Sequence, residues 1–258
     1  MYQKQEHMKL QRLSWAGLKV ESNGQILIID AVQNYQRGAS IGPEIPVRFV
    51  ENTQADVVLV THLHSDHYDP EAIRAVLKPE GSFIVSEQIA GEVSNDGFAP
   101  LTLELNRPHQ IGNFTITAVF AMDGVGDKQV SWVIEADGQR ILHGGDTMWH
   151  NQFWQLGKTW GHFDAVFLPV NGAVVSIPRV TPSPVPITLT PIQAITVTRL
   201  LNADVLVPIH YGFHKDGMYH QFPNMEEDLA RQAETQNVKV QWVEPGNTVE
   251  LPVAEEQI

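Results

Sequence analysis

The chain has 258 residues, a formal net charge of −13, 43% apolar residues and no cysteine. This acidic charge disfavours binding to nucleic-acid phosphates and to an anionic membrane surface. The lack of cysteine excludes disulfides, thiolate ligands and thiol nucleophiles.

The apolar content is enough for a sizeable core, and the low share of charged residues, 18%, argues against disorder. The sequence shows neither the apolar core of a signal peptide nor a run long enough for a transmembrane helix. We therefore expect a cytoplasmic protein.

The first part of the chain predicts a hairpin, a buried strand and a capped helix. Asn23-Gly24 lies between two short apolar runs and favours a tight β-hairpin. The run Asp56-Val-Val-Leu-Val-Thr61 is typical of a strand buried on both faces. Asp69 and Pro70 then favour the N-cap and the first residue of a helix.

Further strands and two more helices are predicted along the rest of the chain. We expect strands at 82–86, 114–120, 130–135, 140–143, 164–170, 204–209, 238–243 and 248–251. Helices are expected from Thr190-Pro191 to about 201 and over 225–235. The segment 176–186 is too rich in proline for regular structure. No domain break is visible, so we expect a single α/β domain over residues 1–258, with two sheets faced by helices.

The most informative stretch follows the strand at 56–61 and reads His62-x-His64-x-Asp66-His67. Residues two apart in an extended segment point to the same side, so His62 and His64 can hold one ion together. Asp66 and His67 come where the chain turns, and their side chains can point at a second ion. Imidazole and carboxylate are the ligands that zinc and similar divalent ions prefer.

Two other predicted strands also end in a metal-ligand residue type beside a glycine. One ends in Gly144-Gly145-Asp146 and the other in His210-Tyr211-Gly212. Glycine lets the backbone bend tightly next to a site. The three stretches together predict a metal centre at the ends of strands.

In their order and spacing these stretches resemble the metallo-β-lactamase superfamily. Gly145-Asp146-Thr147, the segment 163–172 and the helix start at Thr190-Pro191 are more closely similar to its ascorbate-phosphate lactonase-like branch. The resemblance implies a four-layer αββα sandwich, the metallo-β-lactamase fold, with a dinuclear site at one edge of the two sheets. The ligands it implies are His62 and His64 for the first ion, Asp66, His67 and His210 for the second, and Asp146 as the bridge.

One position departs from the pattern of that family. Asp123 stands where the family usually has a third histidine for the first ion. Asp123 can bind this ion itself, which adds a carboxylate and shifts the preference from zinc towards manganese. Alternatively it only forms a turn before Gly124, and the first ion is then weakly held or lost.

The expected function is hydrolysis of a small ester, lactone or phosphoester by water or hydroxide held on two divalent ions, Zn or Mn. Asp66 and His210 are the candidate catalytic residues. Three alternatives stay open: a phosphodiesterase or nuclease-type hydrolase, a lipid-phosphodiester hydrolase, and a non-catalytic ligand-binding protein on a degenerate hydrolase scaffold. We expect a small-molecule substrate as partner, with no nucleic acid and no membrane, and the sequence leaves a homo-oligomer open.

Overall fold

The computed structural model describes residues 7–30, 32–35, 41–176 and 181–251. In this part of the chain we number fifteen strands: β1 (Lys9–Arg12), β2 (Leu18–Ser22), β3 (Gln25–Ile29), β4 (Ala55–Leu59), β5 (Leu77–Ser86), β6 (Leu101–Leu103), β7 (His109–Ile111), β8 (Phe114–Phe120), β9 (Val130–Ala136), β10 (Gln139–His143), β11 (Ala165–Pro169), β12 (Val174–Val175), β13 (Leu206–Ile209), β14 (Tyr219–His220) and β15 (Thr248–Val249). The helices are α1 (Pro70–Val76), α2 (Ala90–Asn95), α3 (Phe153–Trp160), α4 (Pro191–Leu200) and α5 (Met225–Gln236).

Two large sheets organise the fold. The first has seven strands in the order β15-β1-β2-β3-β4-β5-β6, and the second has six in the order β13-β11-β10-β9-β8-β7. Each sheet has a parallel part, β3-β4-β5-β6 in the first and β10-β11-β13 in the second. Ligand-bearing loops that follow parallel strands emerge at the same edge of a sheet.

Three hydrophobic clusters define four layers. The largest lies between the sheets and contains inward-facing residues of both, such as Leu27 and Trp132. A second packs α3, α4 and α5 on the outer face of the second sheet, and a third packs α1 and α2 on the outer face of the first. The expected αββα sandwich is therefore confirmed.

Local signals account for the elements nearest the site. Asn23 and Gly24 both have positive φ, 47° and 75°, as a tight hairpin turn requires. The N-cap Asp69 accepts hydrogen bonds from the backbone N–H groups of Glu71 and Ala72, and Pro70 is the first residue of α1. α4 begins with a capping box between Thr190 and Gln193.

The prediction of a strand at 238–243 is wrong. This segment makes only an isolated bridge, between Leu206 and Val240, and is otherwise irregular. Val243 is buried and Val238 and Val240 are partly buried beside β13, whereas Trp242 is exposed, so the segment packs against the sheet without joining a ladder. The proline-rich segment has no regular structure over 181–186, and residues 177–180 lie outside the described part.

No helix among the described residues combines the length and the apolar character needed to cross a membrane.

Candidate metal centre

The predicted ligands converge from both sheets. The cluster of residues 62–67 follows β4 of the first sheet, whereas Asp146 follows β10 and His210 follows β13 of the second. His210 has a positive φ of 58°, so the chain turns sharply as it leaves the strand. All of these side chains except that of His64 are nearly fully buried.

The side chains form two groups that share Asp146. One group contains Asp66, His67, Asp146 and His210, and the other contains His62, His64 and Asp146. Oδ1 of Asp146 lies 2.7 Å from Nε2 of His67 and 3.0 Å from Nε2 of His210. Its Oδ2 lies 3.7 Å from Nε2 of His62. Asp146 thus presents one carboxylate oxygen to each group, which is the geometry of a bridging ligand.

Buried polar atoms at the first group support a fit to a cation. Nε2 of His67, Nε2 of His210 and Oδ1 of Asp146 are buried and lack a hydrogen bond within the described structure, although they lie close together. Burying such atoms without a partner is costly, and native proteins rarely leave them unsatisfied. A divalent ion shared by these atoms would satisfy all three at once.

Each ring of the 62–67 cluster has its other nitrogen held by an outer partner. Nδ1 of His67 lies 2.7 Å from Oδ2 of Asp30, and Nδ1 of His62 lies 2.9 Å from Oγ1 of Thr61. The Thr61 hydroxyl in turn donates to the Asp30 carboxylate at 3.0 Å. In the neutral form of each ring, this arrangement places the proton on Nδ1 and leaves the Nε2 lone pair facing the centre.

His64 is oriented the opposite way. Its Nε2 lies 2.8 Å from Oδ2 of Asp127, so Nδ1 faces the site and lies 3.0 Å from Nε2 of His62. Asp127 was not anticipated from the sequence. Its only signal was its place in the loop after Asp123, four residues further on.

Asp123 forms the expected turn and also places one carboxylate oxygen near the site. Its Oδ1 accepts hydrogen bonds from the backbone N–H groups of Val125, Gly126 and Asp127, as a turn aspartate does. Its Oδ2 lies 3.7 Å from Nδ1 of His64. Asp123 forms a third group with His64 and Asp127, next to the group that contains His62. Metal binding by Asp123 stays a prediction.

Charge and burial set the protonation states. Burial lowers the pKa of His62 to about 3, so its imidazole is neutral near pH 7. Burial would raise the pKa of Asp146, but His210 and His67 hold it well below its usual range. Burial opposes charge on His67 and His210, yet the nearby carboxylates, Asp146 foremost, raise the pKa of both rings. A cation that binds there displaces a proton from each ring, because only the neutral ring is a ligand.

Close backbone approach explains the glycine before Asp146. Gly145 has a φ of 59°, and a Cβ added to it would lie 2.9 Å from Cβ and Oγ1 of Thr61. A larger residue would push the loop after β10 away from the strand end that carries His62. Gly145 therefore allows the two sheets to bring their ligands together.

Comparisons with known proteins match most of the chain. Residues 26–211 match the family model of the beta-lactamase superfamily domain. A metal-dependent hydrolase of Korarchaeum cryptofilum is 25% identical over 215 residues, which cover 81% of this chain and 87% of the relative.

Solved structures of similar fold cover nearly the whole chain. Igni18, a metallo hydrolase from Ignicoccus hospitalis, has a TM-score of 0.70 at 22% identity, with 94% of this chain and 97% of that chain covered. CmlA, a diiron beta-hydroxylase from Streptomyces venezuelae, has a TM-score of 0.76 at 16% identity and covers 95% of this chain and 54% of its own. At these identities the likeness concerns the fold.

Proposed function

Because this chain belongs to the beta-lactamase superfamily and is a metal-dependent hydrolase, we propose that it hydrolyses a small neutral ester or lactone at a pair of divalent ions. The ions are held by the two ligand groups that share Asp146. The family matches support the superfamily but not the lactonase-like branch within it. Membership of that branch therefore belongs to this proposal.

The observation that carries the proposal is the shared carboxylate of Asp146. Its two oxygens face different sets of imidazoles, with Oδ1 towards His67 and His210 and Oδ2 towards His62. Two cations about 3.5–4 Å apart are the usual arrangement in two-metal hydrolytic sites. When bound, such ions lower the pKa of water and polarise the oxygen of the group under attack.

Asp66 is the residue best placed to orient the attacking water. Burial would raise the pKa of its carboxyl group, but the neighbouring His67 lowers it to about 2, so Asp66 is ionised at neutral pH. Oδ2 of Asp66 is already a hydrogen-bond acceptor for Nε1 of Trp15, at 3.0 Å. Its carboxylate can therefore accept a further hydrogen bond from water without leaving its position. Nε2 of His210, from the other sheet, lies 3.4 Å from the same Oδ2 atom.

The surroundings of the site favour a neutral substrate over a phosphate. A cavity of about 310 Å³ beside His64 is large enough for a small molecule and includes Glu92, Asp127 and Lys128 in its lining. Nζ of Lys128 is already engaged, at 2.9 Å from the carbonyl oxygen of Gln88 and 3.4 Å from Oε1 of Glu92. A phosphate group would meet acidic side chains there without an uncommitted lysine, and the acidic chain as a whole adds to this repulsion.

The proposal is tested with the purified protein loaded with Zn²⁺ or with Mn²⁺. The substrates are a γ-lactone, p-nitrophenyl acetate and bis(p-nitrophenyl) phosphate. We expect kcat/KM for the lactone or the carboxylic ester to exceed that for the phosphodiester by at least about tenfold, a difference of about 1.4 kcal/mol in transition-state binding.

Two outcomes would replace this proposal by another. Faster turnover of the phosphodiester would favour a phosphodiesterase. Metal-dependent binding of lactones without any turnover would favour a ligand-binding protein on a hydrolase scaffold.

A further inference from the structure

A tight turn between β1 and β2 contacts two of the predicted metal ligands, Asp66 and His210. In this turn the N–H of Gly17 donates to the carbonyl of Ser14 at 2.8 Å, and the N–H of Leu13 donates to the carbonyl of Gly17 at 2.8 Å. Trp15 lies within it, 3% exposed, with a φ of 57°. A bulky residue rarely adopts this left-handed conformation, and such strain persists where surrounding contacts enforce it.

Trp15 makes three contacts with two of the predicted ligands. Its indole Nε1–H donates to Oδ2 of Asp66 at 3.0 Å. Its ring packs against the imidazole of His210, with 4.3 Å between the ring centres. Its carbonyl oxygen accepts from the backbone N–H of His210 at 3.3 Å. One residue of the first sheet thus touches a ligand from each sheet.

The hydrogen bond to Asp66 differs from those that orient the imidazoles. An indole N–H is only a donor and carries no charge near neutral pH, so it holds the carboxylate without competing for a cation or neutralising it. Within the described residues it is also the hydrogen bond that reaches Asp66 from outside the ligand group. Without the indole, this hydrogen bond from outside the ligand group would no longer fix the orientation of the Asp66 carboxylate.

The same turn supports the loop that carries Asp146. The carbonyl oxygen of Ala16 accepts a hydrogen bond from Nε2 of the buried His143 at 2.7 Å. Nδ1 of His143 accepts from the N–H of Gly145 at 3.3 Å, next to Asp146. The turn at 13–17 therefore contacts, directly or through one side chain, the segments that carry Asp66, His210 and Asp146.

We propose that Trp15 is a positioning residue that holds Asp66 and His210 in the geometry that binds the more buried cation. The proposal rests on the metal centre described under the proposed function, and it is independent of the substrate class.

The test compares Trp15→Phe with Trp132→Phe. Phenylalanine keeps an aromatic ring against His210 but removes the donor to Asp66. Trp132 is the matched control, because it is also fully buried and its indole N–H also donates a 3.0 Å hydrogen bond, but to the backbone carbonyl of Val60 rather than to a ligand. Dissociation constants for Zn²⁺ and Mn²⁺ are measured by competition with a chromophoric chelator, well below the melting temperature of each variant.

We expect Trp15→Phe to weaken binding of the more buried cation by about 10–100-fold, the usual effect of removing a partner that orients a ligand. The visible absorption of the Co²⁺-loaded protein should change as well, since the position of Asp66 around the ion changes. Trp132→Phe should lower the melting temperature while its metal affinity and Co²⁺ spectrum stay those of the wild type.

A Trp15→Phe protein with wild-type metal affinity and Co²⁺ spectrum would overturn the positioning role, whatever its melting temperature. A wild-type protein that binds no metal would overturn the proposed function together with this inference. If Trp15→Phe does not fold, the ¹H–¹⁵N spectrum of the wild type decides. The chain has six tryptophans and therefore six indole N–H signals. The signal of Trp132 is identified by its absence from the spectrum of Trp132→Phe. Zn²⁺ should shift one of the other five signals, and six unshifted signals would refute the inference.

Discussion

At the scale of single residues, the histidines of the centre depend on partners that no ligand motif contains. Asp30 and Thr61 set which nitrogen of His67 and His62 faces the centre, and Asp127 does so for His64. Such partners matter because a ring in the wrong tautomer presents an N–H instead of a lone pair. Asp30 is buried, and although burial alone would raise its pKa, His67 keeps that pKa below the usual value, so the carboxylate stays charged.

Asp146→Asn and His210→Ala should abolish turnover with the fold retained. Asparagine replaces one carboxylate oxygen of Asp146 by an amide nitrogen that cannot bridge two cations, and alanine removes Nε2 of His210. Loss of the stabilisation that a metal gives to the developing charge costs several kcal/mol, about 1,000-fold or more in kcat/KM. Turnover, metal content and circular dichroism are measured together. The matched control is His214→Ala, because His214 is half exposed and pairs with Asp216 outside the ligand groups. Full activity in Asp146→Asn would contradict the bridging role.

Asp123→His should restore the usual ligand of the family and raise the affinity of the first-ion site, which contains His62 and His64, for Zn²⁺ relative to Mn²⁺. The reason is that imidazole suits zinc, whereas a further carboxylate suits manganese. Asp123→Asn is the control, because its amide oxygen can still accept the three hydrogen bonds from backbone N–H groups that Oδ1 accepts in the wild type. Zinc and manganese per chain are quantified after dialysis. A wild-type protein that already holds two tightly bound zinc ions would contradict the expected shift.

At the scale of elements, the helices of the second sheet pack through a glycine. Gly157 in α3 lies against the end of α4, and a Cβ added to it would lie 1.9 Å from the carbonyl oxygen of Leu200. Because that neighbour is backbone, it cannot move aside as a flexible side chain would. α3 contains two tryptophans and a glycine and was not predicted; burial of Phe153 and Leu156 stabilises it as a helix.

Gly157→Ala should therefore destabilise the protein by about 1–3 kcal/mol, the usual cost of overpacking. Gly91→Ala in α2 is the control, because nothing lies within 4 Å of its added Cβ. That change should be neutral or stabilise by up to about 1 kcal/mol through helix propensity. Thermal unfolding of both variants measures the difference. Equal shifts in melting temperature would show that the contact with α4 does not restrict the size of the side chain at position 157.

At the scale of the whole molecule, the centre joins the two sheets. The cluster of residues 62–67 comes from the first sheet, and Asp146 and His210 come from the second, so a cation bound by both would cross-link the sheets. Binding to the folded state alone stabilises it by about 2.7 kcal/mol when the free metal is 100 times Kd.

Removal of the metal should therefore lower the melting temperature by about 5–10 °C for a chain of this size. Differential scanning fluorimetry before and after EDTA, followed by addition of Zn²⁺ or Mn²⁺, measures the shift. Asp146→Asn provides the reference, because a protein without the bridge should respond little to EDTA. An identical melting temperature for the chelated and reloaded wild type would argue against a structural contribution of the ions.

Much of the fold and the identity of the candidate ligands were determined by the sequence alone; metal binding by those residues stays a prediction. The hairpin at Asn23-Gly24, the strand before His62 and the capped start of α1 follow from turn chemistry, β-branched residues and helix capping, which act over a few positions. These local rules, together with the family resemblance, predicted the αββα layers. The single domain, the small-molecule partner and the oligomeric state stay predictions.

Only the tertiary structure decided which atoms meet. Trp15, Asp30 and Asp127 are far in sequence from the residues they touch, or lie in loops without a motif, so no periodicity or spacing could identify them. The segment at 238–243 has the composition of a strand, but in the folded chain it forms only an isolated bridge, between Leu206 and Val240. Hydrogen bonding and packing between distant segments depend on the whole folded chain, whereas turns, caps and strand patterns depend on residues close together in sequence.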